Sequence, residues 1–168
     1  MKSVWTVLLA WALLVVESVV VRAWGWSVTR VDVTVVVVVF LALRSSTLEG
    51  AIAAFACGYL LDVMGGQPTG LYTFLAMLTF LVARVFGSLV EVRSAVSFGL
   101  FAAAADAGHG LVAAFFTWLT SREGSVYSGV LSAIPLQILL TGVAGLLLYP
   151  VLRKLEAGPE RSSFGVLR

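Results

Sequence analysis

The chain has 168 residues, of which 60% are hydrophobic and 12% are charged, and its formal net charge is +2. A typical globular chain is about half apolar and about a quarter charged, so this composition excludes an ordinary water-soluble domain. The basic residues form no run of like charge that could grip a phosphate backbone, which argues against nucleic acid as a partner. The single cysteine, Cys57, excludes an internal disulfide and a cysteine-rich metal site.

Six apolar runs follow one another along the chain, and their lengths lie near the ~20 residues that cross a ~30 Å hydrocarbon core. Charges, prolines or glycines separate the runs, which cover residues 4–21, 31–43, 48–64, 71–90, 95–119 and 128–152. We therefore predict an all-α integral membrane protein. Residues 1–156 would form a six-helix transmembrane bundle, and residues 157–168 a short cytoplasmic tail.

Each of the first two runs is compatible with two structural interpretations. Run 4–21 follows Lys2 and loosely resembles a cleavable signal peptide, but it is long enough to span, so we expect a retained helix. Run 31–43 is so rich in valine that it would suggest a buried strand in a soluble protein. An open strand in lipid leaves its backbone unpaired, so we predict a helix that takes its first turn from residues 27–30.

The distribution of basic residues predicts the orientation, because cytoplasmic segments of membrane proteins carry an excess of lysine and arginine. With a cytoplasmic N-terminus, the inner segments hold Lys2, Arg44, Arg84, Arg93, Arg153, Lys154, Arg161 and Arg168. The outer segments then hold Arg22, Arg30 and Arg122. We expect both termini to be cytoplasmic.

The third run opens with the spacing of a capping box and carries a face of small residues. Ser46 and Glu49 have the Ser-x-x-Glu spacing in which each side chain satisfies a backbone N–H at a helix start. Gly50, Ala54 and Gly58 recur every four residues, so they share one helix face and allow a neighbouring backbone to approach closely. We predict a helix–helix contact on that face.

An acidic residue and a group of turn residues end the third run. Asp62 lies near the predicted outer end of the helix. Gly65, Gly66, Pro68 and Gly70 follow it, and such residues mark a tight reversal of the chain. The third and fourth runs are therefore predicted to form a helical hairpin.

The same stretch carries a spaced set of residues, in the order Leu43-Arg44, Glu49-Gly50, Phe55, Gly58, Asp62 and Gly70-Leu71. This set resembles the signature of the rod shape-determining protein MreD family, and the predicted six spans with both termini inside resemble that family over the whole chain. Two positions depart from its pattern. Val31 lies between Arg30 and Asp32 where the family often has proline, and Thr69 occupies a place where an apolar residue is common.

The resemblance implies a non-enzymatic adaptor of the bacterial cell-elongation machinery, in the cytoplasmic (inner) membrane. Such a protein would bind MreC, be linked through it to MreB filaments, and support side-wall peptidoglycan synthesis near RodA and its transpeptidase partner. Its candidate interaction residues here are Arg44, Glu49, Gly50, Gly58, Asp62 and Gly70.

The MreD family also resembles in fold the substrate-binding subunits of energy-coupling-factor vitamin transporters. The alternative function is therefore that of a small-molecule binding subunit of a transporter. That function would require an outward-facing cavity lined by several convergent polar groups.

Asp106 and His109 form a candidate polar pair within the fifth run. They are three residues apart and therefore share a helix face, where each ionisable group is costly in lipid. They could relay protons, as in a proton-coupled carrier, or line a ligand pocket, but we expect a structural pair that orients the helix.

The remaining polar and helix-breaking features suggest structural roles. Arg84 is expected to reach the cytoplasmic surface or Glu91, and Pro135 to kink the last span. With one histidine, one cysteine and no phosphate-binding glycine loop, we expect neither an enzyme nor a bound metal or cofactor.

Overall fold

The structure is a computed structural model that describes residues 32–65, 70–120 and 124–157. This part of the chain is all-helical, with five α-helices and no strand. The helices are α1 (Val33–Arg44), α2 (Thr47–Gly65), α3 (Leu71–Gly87), α4 (Ala95–Thr120) and α5 (Gly124–Ala157). Each matches one of the last five apolar runs to within a few residues, so the helical prediction for those runs is confirmed. The first run and the tail from residue 158 onward lie outside the described residues.

The valine-rich run forms α1, a helix and not a strand. The carboxylate of Asp32 accepts a hydrogen bond from the backbone N–H of Val35 at 3.0 Å and so caps the helix start. In the described residues α1 begins at Val33, and residues 27–30, which were expected to supply its first turn, lie outside them. Its 12 residues give a length of about 18 Å, which is shorter than the ~30 Å hydrocarbon core.

Helix α1 lies at the centre of the bundle and packs against the four other described helices. Every residue from Val33 to Ala42 is buried. The ring of Phe40 meets that of Phe98 on α4 edge to face, with centroids 6.1 Å apart. The stiff, β-branched valines fill this enclosed position with little side-chain entropy to lose.

Small residues join α4 to α5 along a close seam. A Cβ added to Gly99 would lie 2.8 Å from the carbonyl oxygen of Gly142, and one added to Gly145 would lie 3.2 Å from Cβ of Ala102. Backbones approach this closely only where side chains are absent or short. Helix α5 continues through Pro135 and Pro150, and the predicted kink at Pro135 stays a prediction.

Two of the described helices contain segments long and apolar enough to cross a membrane, Ala95–Phe116 of α4 and Ile134–Lys154 of α5. A core helix of a soluble protein would be mostly buried, but the most apolar windows of these two segments are only 33% and 17% buried. Large apolar side chains are exposed on their outer faces, among them Leu100, Leu111, Leu139 and Leu147. An apolar surface of this extent is typical of one that lipid or a partner covers.

Arg84 stabilises the end of α1 from the neighbouring helix α3. Its Nη1 donates to the carbonyl oxygens of Ala42 at 2.9 Å and Ser45 at 2.5 Å, and its Nη2 donates to Oγ1 of Thr47 at 3.0 Å. These carbonyls belong to the helix end, where intrahelical donors run out and the helix dipole favours a cation. Of the two alternatives expected for Arg84, the contact with Glu91 is not formed, and Glu91 pairs with Arg93 at the surface.

Candidate functional site

Asp62 joins the end of α2 to the start of α3. Its Oδ1 accepts the backbone N–H of Tyr72 at 3.0 Å, and its Oδ2 accepts the backbone N–H of Thr73 at 2.9 Å as well as the Thr73 hydroxyl. The first turn of any helix leaves N–H groups without intrahelical partners, and a carboxylate there also interacts favourably with the helix dipole. Asp62 therefore caps α3 from the preceding helix.

The predicted face of small residues on α2 packs against α3. A Cβ added to Gly58 would lie 2.6 Å from Cα of Thr73 and 2.8 Å from the carbonyl oxygen of Tyr72, which are both backbone atoms. A Cβ added to Gly50 would lie 2.6 Å from the ring of Phe80. The predicted close helix–helix contact is therefore present.

Gly70 completes the hairpin just before α3. Its φ of 90° and ψ of −10° lie in the left-handed region, which glycine adopts readily and other residues adopt at a cost. Three of the six candidate interaction residues of the signature, Gly58, Asp62 and Gly70, thus lie together at one end of the α2–α3 hairpin. Residues 66–69, which include Thr69, lie outside the described part.

The other three signature residues lie at the opposite end of α2. Arg44 and Glu49 are exposed, whereas Gly50 is buried. Nη2 of Arg44 donates to the hydroxyl of Tyr149 on α5 at 3.0 Å. Helix α2 begins directly after Ser46, whose carbonyl oxygen accepts the N–H of Gly50 at 2.9 Å. This start agrees with Ser46 as the capping residue.

His109 lies inside the bundle between α3 and the start of α1. A hydrogen bond of 3.0 Å joins its Nδ1 to Oγ1 of Thr79, and its Nε2 lies 3.7 Å from Oδ2 of Asp32. Only 9% of the His109 side chain is exposed. The imidazole therefore has a hydroxyl on one side and a carboxylate on the other, an arrangement that can hold or pass a proton.

Asp106 is fully buried, and its two oxygens have different surroundings. Its Oδ1 accepts a hydrogen bond from Nε2 of Gln137 on α5 at 3.1 Å. Its Oδ2 has no hydrogen-bond partner. Asp32 and His109 act electrostatically on this carboxyl, and Thr141 lies beside it. A buried carboxylate oxygen without a hydrogen-bond partner is energetically unfavourable.

The structure corrects the expected pair of Asp106 and His109. Both side chains lie in the bundle interior, but Asp106 bonds to Gln137 and His109 bonds to Thr79. The reason is that each side chain reaches across to a neighbouring helix and not along its own. Asp106 and His109 are thus parts of a larger cluster and do not form a closed pair.

We call this cluster the interior polar cluster; its members are Asp32, Thr79, Asp106, His109, Gln137 and Thr141. It connects α1, α3, α4 and α5, and the Thr141 hydroxyl accepts the backbone N–H of Asp32 at 3.1 Å. Sequence reasoning missed four of its members. The one signal available was that Gln137 and Thr141 are four residues apart in an apolar run, and therefore share a helix face.

An apolar cleft separates α3 from α4 beside this cluster. It has a volume of about 460 Å³, and apart from Thr79 and His109 its lining residues are apolar. Val82 and Phe86 at its edge are exposed, so the cleft opens to the outside of the bundle. In the described residues no group of three or more His, Cys, Asp or Glu side chains is placed to hold a metal ion.

Comparison of the chain with protein-family models, with characterised proteins and with solved structures finds no match in any of the three.

Proposed function

We propose that this chain is a six-span protein of the bacterial inner membrane and an adaptor of the cell-elongation machinery that binds MreC. The proposal rests on the resemblance to the MreD family. The observation that best supports it is the α2–α3 hairpin, in which the signature residues Gly58, Asp62 and Gly70 act together. Gly58 admits the α3 backbone, and Asp62 binds the first N–H groups of that helix. Their spacing thus has a physical reason.

The positions of the basic residues support an orientation with both termini in the cytoplasm. Arg44 and Arg84 lie at one end of the bundle, where Arg84 binds the carbonyl groups at the end of α1. The hydroxyl of Tyr149 accepts from Arg44 and donates to the carbonyl oxygen of Arg93 at 3.4 Å, which brings α4 and α5 to the same end. Exposed Arg153 and Lys154 follow Tyr149 by about one helical turn. This end is the one proposed to face the cytoplasm.

The cleft favours the adaptor over a transporter subunit. A site for a vitamin-like substrate would present several polar groups that converge on the ligand. Of the two polar residues that line the cleft, Thr79 and His109, each hydrogen-bonds the other. An apolar cleft between two helices offers little to orient a polar substrate.

Labelling of introduced cysteines tests the orientation. Cys57 is buried, with 1% of its surface exposed, so the native background should be low. A cysteine that replaces Thr69 is expected to react with an impermeant maleimide on intact spheroplasts. A cysteine that replaces Ser88 should react only after permeabilisation. The reverse pattern would overturn the orientation.

Affinity purification from native membranes tests the adaptor function. The tagged full chain, solubilised in mild detergent, is expected to enrich MreC over an unrelated multi-pass protein with the same tag. Enrichment of the ATPase subunits of a transporter in place of MreC would favour the alternative. Recovery of neither would count against both functions.

A matched pair of variants sharpens this experiment. Arg44 and Glu49 are the charged members of the signature that lie at the surface near the start of α2. Glu49→Gln removes a charge without changing size and should lower MreC recovery several-fold at equal abundance. Glu91→Gln makes the same change at an exposed residue outside the signature and should leave recovery unchanged. Equal recovery with both variants would remove Glu49 from the interface.

A further inference from the structure

The interior polar cluster has an imbalance of charge that its own side chains do not remove. It contains two carboxylates, Asp32 and Asp106, and one imidazole, His109. With the imidazole protonated, one negative charge remains. A buried charge without a partner is strongly unfavourable in a medium of low dielectric constant. A single additional positive charge would neutralise the cluster.

The geometry indicates which carboxylate lacks its counter-charge. Asp32 has His109 at 3.7 Å, and it caps α1, where the N–H of Val35 and the helix dipole stabilise an anion. Asp106 has one neutral donor, Gln137, on Oδ1, and nothing on Oδ2. The side chain of Asp106 is also the more deeply buried of the two, with no exposed surface.

We propose that the interior polar cluster binds one monovalent cation, a proton or a sodium ion, at the free Oδ2 of Asp106. A proton would convert the carboxylate to a neutral acid that can donate a hydrogen bond. A sodium ion would be held by oxygen atoms, which hard cations prefer, and Asp106 and Thr141 each offer one, while Gln137 faces the carboxyl with its NH₂ group. With the imidazole protonated, a divalent ion would leave an excess positive charge in the bundle.

Few of the groups that face Asp106 are ionisable. In the described part of the chain, α1 contributes Asp32 at its start and α4 contributes His109, which are the ionisable neighbours. Helix α3 contributes the uncharged Thr79, and α5 the uncharged Gln137 and Thr141. Asp106→Asn therefore isolates the proposed site, because the amide has a similar shape and needs no counter-charge.

Thermal unfolding of the purified full chain in nanodiscs of neutral lipid provides the test. A cation that binds the folded state raises the unfolding midpoint as its concentration increases. If the ion is sodium, the wild-type midpoint should rise when sodium chloride replaces choline chloride at constant ionic strength and pH. If it is a proton, the midpoint should rise as the pH falls in choline chloride alone. Asp106→Asn should lose the dependence, and Glu91→Gln, which changes an exposed carboxylate, should keep it.

A chemical probe on the wild-type chain covers the case in which the variant does not fold. A hydrophobic carbodiimide reacts with protonated carboxyl groups in apolar surroundings, and mass spectrometry can locate the adduct. Modification of Asp106 that falls as pH rises, or that sodium chloride but not choline chloride suppresses, is the expected result. A wild-type midpoint and adduct yield that depend on neither ion would overturn the proposal, as would the same dependence in Asp106→Asn.

Discussion

Asp62 and Asp106 are both buried carboxylates on the helices of one bundle, yet their surroundings differ. Asp62 accepts hydrogen bonds on both oxygens, from the backbone of Tyr72 and from the backbone and side chain of Thr73. Asp106 accepts one, from Gln137, and its second oxygen has no partner. Burial of a carboxylate is unfavourable unless its hydrogen bonds are restored. Asp62 therefore has a structural role in which both oxygens are hydrogen-bonded, whereas Asp106 keeps one oxygen that can accept a further partner.

The origin of the partners explains this difference. Asp62 is 10 residues from Tyr72 and 11 from Thr73, so a single hairpin supplies its hydrogen-bond donors. The donor to Asp106 lies 31 residues away on another helix. A local motif can supply donors to both oxygens of a carboxylate, whereas the donors in the interior polar cluster depend on how several helices pack.

The largest expected effect comes from the glycine that allows the hairpin to close. Gly58→Leu should destabilise the protein by about 3 kcal/mol or more, because the side chain would overlap the α3 backbone, which cannot move aside. The control is Gly108→Leu on α4, where an added Cβ would meet nothing within 4 Å. Denaturation in mixed micelles measures both. Equal loss of stability in the two variants would contradict the close contact.

A smaller effect is expected when Asp62 loses its charge. Asp62→Asn replaces one acceptor oxygen by an NH₂ group that faces backbone N–H donors, so we expect a loss of about 2 kcal/mol. The same measurement on Glu91→Gln, whose carboxylate is exposed, should show almost no change. A stable Asp62→Asn protein would mean that its capping of α3 contributes little.

The smallest effects are expected from the removal of two hydroxyl groups, one beside Asp62 and one in the interior polar cluster. Thr79→Val removes the hydrogen bond to Nδ1 of His109 and should cost about 1 kcal/mol, since a buried ring nitrogen loses its partner. Thr73→Val removes only one of the donors to Asp62 and should cost about half as much. Chemical denaturation of the two variants in parallel gives the difference directly. A greater loss for Thr73→Val would reverse the contrast between the regions.

The sequence was sufficient to locate the described helices and the hairpin, because both depend on neighbours along the chain. Apolar runs ended where α2 to α5 end to within a few residues, and four-residue spacing placed Gly50 and Gly58 on a packed face. Contacts between distant helices could not be read in this way. Arg84 reaches the carbonyl of Ala42, 42 residues away, a partner that was not among the two expected, the cytoplasmic surface and Glu91. The capping of α1 by Asp32 was not predicted either, because it depends on a side-chain contact that the apolar pattern does not reveal.

The bond between Asp32 and Thr141 also bears on how the protein is made. Thr141 is synthesised 109 residues after Asp32, which corresponds to roughly 5 to 20 s of translation. During this interval the backbone N–H of Asp32, at the start of α1, lacks the α5 hydroxyl that it binds in the folded protein. This bond between α1 and α5 can therefore form only after residue 141 has been added to the chain. Truncation before residue 141 would leave the backbone N–H of Asp32 without this hydrogen bond.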